Sequence, residues 1–142
     1  MELILWNATI VVSKAIFYVG FASLVGCAFL MRQPAPKDDF YKDLLCQIVP
    51  VMVVSCIASA VWFIAKTGAF SESGLQGAFD PMMLEVMWAS PVGDVALVRM
   101  LMSGLAIPAL LLIFAKRVHV IAIRAILTVL IVYGLYSFTL IG

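Results

Sequence analysis

The chain has 142 residues, of which 65% are hydrophobic and only 12% are charged, and its mean hydropathy is +1.15. These values lie well outside the range of an ordinary soluble domain and indicate an integral membrane protein. The net charge is only +1, and no basic run or aromatic-interleaved basic patch points to a nucleic-acid partner. The expected surroundings of the chain are therefore the lipid bilayer.

Four apolar segments are each long enough for a helix that crosses a bilayer, which needs about 20 predominantly apolar residues. They cover about residues 10–31, 44–65, 95–115 and 120–141. All four are too long for the strands of an outer-membrane barrel, which alternate over about ten residues. The sequence thus predicts an all-α fold, with residues 1–142 forming one transmembrane four-helix bundle. Because the last segment stays apolar up to Gly142, we expect the chain to be a fragment of a longer protein.

The distribution of basic residues predicts how the chain is oriented in the membrane. The connection between the first two segments holds three basic residues, and the connection between the last two holds Lys116 and Arg117. By contrast, the connection between the second and third segments has Lys66 against four acidic residues. We therefore expect the two basic connections to be cytoplasmic and both termini to face outward.

The predicted outer connection, between the second and third apolar segments, has recognisable local signals. Residues 68–77 are rich in Gly and Ser and predict a loop. Asp80-Pro81 is then typical of a helix start, and a short helix is predicted for about residues 81–89, lying at the membrane surface with Trp88 at the headgroup level. Ser90-Pro91 repeats the start signal at the beginning of the third long helix.

Two stretches of the sequence carry a family resemblance. Trp88-Ala-Ser-Pro-Val-Gly-Asp-Val-Ala-Leu-Val-Arg99 resembles the signature of the copper resistance protein D family, in which an aromatic residue, a short polar turn with Gly and an Arg lead into the third span. Lys14-Ala-Ile-Phe-Tyr-Val-Gly-Phe-Ala-Ser-Leu-Val-Gly26 resembles the family's first helix, although this chain has Phe17 where the family often has a histidine.

This resemblance covers essentially the whole chain and corresponds to the amino-terminal half of a typical family member. It implies a copper resistance protein of the bacterial inner membrane, with both termini periplasmic, that moves or relays copper across the membrane. It also implies copper as the bound metal and a periplasmic copper-binding protein as a partner.

Methionine is the residue type that could handle such a cargo. Cuprous ion prefers thioether and thiolate sulfur, and the chain has eight Met and three Cys. Met83 and Met87 lie one turn apart on the predicted surface helix, and with Met82 and Met100 they form the predicted copper-capture site. The alternative is that these side chains only fill space, because Met and Cys are common in membrane helices. Deeper sulfur atoms would continue the path, from Met52, Cys56, Cys27 and Cys46.

Two cations lie within the predicted spans, where an ionisable group is costly and is a functional candidate by default. These are Lys14 and Arg99, and we expect them to turn into the bundle and pair with Asp94 or Glu85. Such pairs either fasten the surface helix to the bundle or guard a metal entrance. Close helix packing is also predicted, from the small residues of Ala22-x-x-x-Gly26 and of the second segment.

No enzyme is indicated by the sequence. A single histidine leaves little choice for a catalytic triad and excludes a bis-histidine haem, and no Gly-rich phosphate loop is present. The alternative function is a non-transporting membrane anchor or accessory subunit that binds a partner protein through the surface helix. A further alternative is that Lys14 and Arg99 bind an anionic lipid.

Overall fold

The computed structural model describes residues 2–31, 38–71, 74–114 and 120–139. This part of the chain is helical apart from short turns and contains no strand, so the all-α prediction is confirmed. Its six helices are α1 (Glu2–Leu30), α2 (Asp38–Ser71), α3 (Gly74–Ala78), α4 (Pro81–Trp88), α5 (Pro91–Phe114) and α6 (Val120–Thr139).

Three of the helices are long and apolar enough to cross a membrane, over Ile4–Leu30 in α1, Lys42–Ser71 in α2 and Pro91–Leu112 in α5. The described apolar part of α6, Ala125–Tyr136, is shorter than a bilayer crossing. The fourth span therefore stays a prediction. So does the orientation, because the basic residues Arg32, Lys37, Lys116 and Arg117 lie outside the described residues.

The long helices pack side by side in the order α1, α2, α5 and α6, and α6 also contacts α1. Helices α3 and α4 pack at one end, against α2 and α5. Near this end lies a group of buried side chains, the α4-end cluster, which comprises Ile10, Trp62, Phe63, Ala65, Met87, Val95 and Ala96. A second group, the central cluster, includes Phe17, Phe21, Leu24, Cys27, Met31, Met52, Met102, Leu110 and Leu127.

Gly20 allows α1 and α2 to approach each other closely. A Cβ atom at this position would lie 2.6 Å from Ser55 Oγ and 2.8 Å from Ser55 Cβ. The pair predicted for this role, Ala22 and Gly26, is exposed, and a Cβ at Gly26 would meet nothing within 4 Å. That prediction is wrong because the spacing of small residues does not reveal which face of α1 packs on α2. Ser55 itself is buried in the contact.

We expect Gly20→Ala to destabilise the fold and Gly26→Ala to stabilise it slightly. The first change forces Ser55 and its helix away, an overpacking that typically costs about 1–3 kcal/mol. The second places a methyl group in open space and gains up to about 1 kcal/mol of helix propensity. Thermal unfolding of the two purified variants in detergent measures the difference. Equal melting temperatures would contradict the close approach, and Ser55→Gly should partly restore the first variant.

The segment predicted to be a loop, residues 68–77, is largely helical. Helix α2 continues to Ser71 and α3 occupies Gly74–Ala78. Two hydroxyl groups bond back to the helix carbonyls: Thr67 Oγ1 donates to Phe63 O at 3.0 Å, and Ser71 Oγ donates to Gly68 O at 3.1 Å. Gly68 is a contact point for Trp6, whose ring would lie 2.9 Å from an added Cβ. Gly68 therefore serves helix packing rather than a turn, and Ser71 bonds within the last turn of α2.

Side-chain caps define α4 and the start of α5. Asp80 Oδ1 accepts a hydrogen bond from the Met82 N–H at 3.0 Å, and Pro81 occupies the first turn. Ser90 Oγ accepts from the Val92 N–H at 3.2 Å and donates to Met87 O at 2.6 Å. Helix α4 thus occupies the segment for which a short helix is predicted, and its end is tied to the start of α5.

Candidate functional site

Arg99 lies inside the protein, two turns after the start of α5, and only 2% of its surface is exposed. Its guanidinium carbon lies 4.8 Å from the ring centroid of Phe17 and 4.8 Å from that of Trp62. Tyr18 is the third aromatic neighbour, at 5.9 Å, and its hydroxyl accepts a hydrogen bond from the guanidinium. We call these four residues the arginine cage. Because Phe17 belongs to the central cluster and Trp62 to the α4-end cluster, Arg99 lies at the boundary between the two.

The ion pairs predicted for Lys14 and Arg99 are not formed among the residues that the structure describes. Arg99 turns into the bundle as expected, but its neighbours are aromatic rings. Asp94 and Glu85 are both exposed. Asp94 precedes Arg99 by five residues, which places it about 140° around the helix, on another face. Aromatic rings can take the place of a carboxylate because their faces attract a cation, by about 2 kcal/mol or more when water is excluded.

Lys14 lies on α1, one helical turn before Tyr18. Its side chain is half-buried on α1, three residues before Phe17. Arg99 itself is enclosed by the helices, and a joint site of Lys14 and Arg99 for an anionic lipid stays a prediction.

Three buried polar atoms have no hydrogen-bond partner in the described part of the chain. They are Arg99 Nε, Trp62 Nε1 and Ser55 Oγ. The backbone around Arg99 is satisfied, since Ser103 Oγ donates to Arg99 O at 2.7 Å. A buried polar group without a partner costs about 1–3 kcal/mol, and more when it is charged. The backbone of Arg99 is thus hydrogen-bonded, whereas two side-chain N–H groups of the arginine cage have no acceptor among the described residues.

The structure separates the four methionines of the predicted capture site. Met87 is buried in the α4-end cluster, and Met100 of α5 packs against that same cluster. Met83 is half-buried one turn before Met87. Met82 points away, with 75% of its surface exposed. The fold therefore brings Met87 and Met100 to one cluster and excludes Met82 from it.

Further sulfur atoms lie on the other side of Arg99. Met52 and Met102 are fully enclosed in the central cluster, together with Cys27 and Met31. Between the two clusters, Cys56 Sγ lies 4.0 Å from Met100 O. No group of three or more His, Cys, Asp or Glu side chains comes together in the described ranges. The soft atoms of the interior are therefore mainly thioethers.

The sequence does not predict the positions of two residues of this site, Trp62 and Met102. Trp62 falls near the end of a predicted span, where tryptophan usually sits at the headgroup level, so nothing marks it as a neighbour of a buried arginine. Met102 follows Met100 by two residues and faces a different cluster. Only the helical period, about 200° for two residues, hints at this separation.

The described structure is that of an all-helical, multi-pass membrane protein with a buried cation at its centre. Residues 5–142 match the family described as "Copper resistance protein D-like, N-terminal domain". The chain belongs to this family, and the predicted resemblance is confirmed. No curated protein and no solved structure matches the chain at a significant level.

Proposed function

We propose that this protein moves or relays copper across a bacterial inner membrane, with both termini in the periplasm, and that it contributes to copper resistance in this way. The family match over residues 5–142 is the observation that carries the proposal. The long apolar helices support it, because they supply the membrane domain that such a role needs. No covalent chemistry is part of the proposed role.

The placement of sulfur atoms supports a route for cuprous ion. Thioether sulfur is a preferred ligand of this ion, and thioethers lie on both sides of Arg99. Met87 and Met100 lie in or against the α4-end cluster, and Met52 and Met102 lie in the central cluster. We propose that copper is captured by Met83, Met87 and Met100 before it reaches the deeper pair.

Arg99 is the main electrostatic barrier on this route. A guanidinium 5 Å from a monovalent cation repels it by about 3 kcal/mol at an effective dielectric constant of 20. The aromatic rings of the arginine cage stabilise the guanidinium but do not cancel its charge. The proposed transfer between the two methionine pairs therefore requires that this charge be compensated or displaced.

Replacing Met83, Met87 and Met100 together by Leu should shift cellular copper and copper tolerance toward the values of cells that lack the protein. The change removes the sulfur but nearly conserves side-chain volume. Met82→Leu is the matched control, because Met82 is exposed and lies on the same helix, and it should behave like the wild type. Growth on copper and metal content per cell, at equal protein level in the membrane, provide the measurement.

If the triple variant keeps wild-type copper content, the capture site is wrong. If cells without the protein also keep it, the proposed function is wrong.

A second candidate function is favoured by the surface of α3 and α4. Leu75, Phe79, Met82 and Val86 are all exposed apolar side chains at one end of the protein. We propose, as this alternative, a non-transporting anchor or accessory subunit that receives a periplasmic copper-binding protein there. Vesicles containing only the purified chain separate the two functions: copper flux into them supports transport, and its absence supports the anchor.

A further inference from the structure

Among the residues that the structure describes, no negative charge compensates the positive charge of the arginine cage. Arg99 is 98% removed from solvent by the fold, and none of the described carboxylates pairs with it. Burying an ion without a counter-charge costs several kcal/mol even after the surroundings relax. The aromatic faces and the Tyr18 hydroxyl offset part of the free energy of burying the guanidinium, but neither carries a negative charge.

The two unpaired donors of the cage lie on neighbouring side chains. Arg99 Nε is bonded directly to the guanidinium carbon, which lies 4.8 Å from the Trp62 ring centroid, and Trp62 Nε1 is part of that ring system. Both nitrogen atoms can only donate a hydrogen bond. A ligand that satisfies both must therefore be an acceptor. Ser55 is not part of this site, because it lies about 10 Å from Trp62 along α2.

We propose that Arg99 and Trp62 form a binding site for one small monovalent anion, such as a halide. An anion accepts both hydrogen bonds and also neutralises the guanidinium, whereas a water molecule would do only the first. A divalent anion would leave a net negative charge in an apolar interior, which is as costly as the original positive one. The site does not depend on the proposed copper function, since it requires no metal.

Fluorescence of Trp62 provides a direct test. The three tryptophans of the chain are Trp6, Trp62 and Trp88, so the full chain carrying Trp6→Phe and Trp88→Phe reports on Trp62 alone. Sodium bromide and sodium iodide are added to this protein in detergent at constant ionic strength, with sodium gluconate as the balancing salt. Because only 1% of Trp62 is exposed, collisional quenching is small, and a saturable change reports binding beside the ring.

Two variants separate a site from a general salt effect. Arg99→Gln removes the charge and should abolish the saturable change. Trp62→Phe keeps an aromatic face but removes the N–H. Binding to this variant is measured by thermal unfolding, as the increase in melting temperature in bromide relative to gluconate. We expect this variant to bind bromide at least about tenfold more weakly than the wild type. The reason is that a hydrogen bond to a charged group contributes about 1.5–3 kcal/mol.

A wild-type response that rises linearly without saturation, or that is absent, overturns the proposal whatever the variants do. So does an equal saturable response in Arg99→Gln. Sulfate producing the same saturable response at the same concentration would overturn the choice of a monovalent ligand. None of these measurements involves copper, so failure here leaves the proposed function untouched.

Discussion

Gly93→Ala should disrupt the junction between α4 and α5. A Cβ atom at Gly93 would overlap the carbonyl oxygen of Trp88 and would lie 2.7 Å from the Trp88 Cα. These are backbone atoms, and the local hydrogen bonds hold them: the Ala89 N–H donates to Glu85 O at 3.0 Å and the Gly93 N–H donates to Ser90 O at 2.9 Å. We expect a loss of at least about 3 kcal/mol, at the upper end of overpacking costs.

Gly104→Ala is the control for this prediction. Gly104 lies on the same helix, and a Cβ there would meet nothing within 4 Å. This variant should gain up to about 1 kcal/mol from helix propensity. Thermal unfolding in detergent compares the two, and size-exclusion chromatography shows whether the Gly93 variant remains monodisperse. A Gly93 variant that melts with the wild type would show that the junction is looser than described.

Trp62→Ala should have the second large effect, a destabilisation of about 3–5 kcal/mol, as is typical for loss of a buried large aromatic side chain. Trp62 is 1% exposed and contributes to the α4-end cluster as well as to the arginine cage. Its removal leaves a cavity and also removes the aromatic ring that contacts the guanidinium of Arg99. The energy of the ring–guanidinium contact can be measured separately from the cost of the cavity, because only the contact depends on the charge of residue 99.

A double-mutant cycle with Arg99→Met measures that contribution. In the Arg99→Met background, Trp62→Ala should cost about 0.5–2 kcal/mol less, the range of a cation–π contact. Arg99→Met alone should be close to neutral, because a well-packed apolar side chain commonly replaces a buried charge without loss. Identical costs of Trp62→Ala in both backgrounds would show that the ring and the guanidinium are not energetically coupled. Trp88→Ala, at a half-exposed position, should cost much less.

Local chemistry explains the parts of the fold that the sequence could predict. Helix α4 follows from Asp80-Pro81, and the start of α5 follows from Ser90-Pro91, because these residues cap helices using atoms only two or three positions away. The all-α class follows from the length of the apolar segments. Family membership follows from the stretches that end at Gly26 and Arg99, since both are continuous in sequence.

The partners of Arg99 could not be predicted in the same way. They depend on how α1, α2 and α5 are rotated about their axes, and apolar helices of this kind have no polar face from which a rotation can be read. Charge attraction favoured Asp94 as a partner, yet five residues along a helix place it on a different face. Gly20 and Gly26 differ for the same reason, because only the packed structure shows that the first faces Ser55.

The order of the arginine cage along the chain has a consequence for how the protein enters the membrane. Phe17, Tyr18 and Trp62 all precede Arg99, so ribosomal synthesis delivers α1 and α2 before the arginine emerges. An arginine at the centre of an isolated helix costs about 2.5–3.5 kcal/mol on insertion scales. Helix α5 can avoid much of this cost by docking onto two helices that already present aromatic faces. If the arginine-bearing helix were made before α1 and α2, this assistance would be absent during insertion, although the cage of the finished protein could still form.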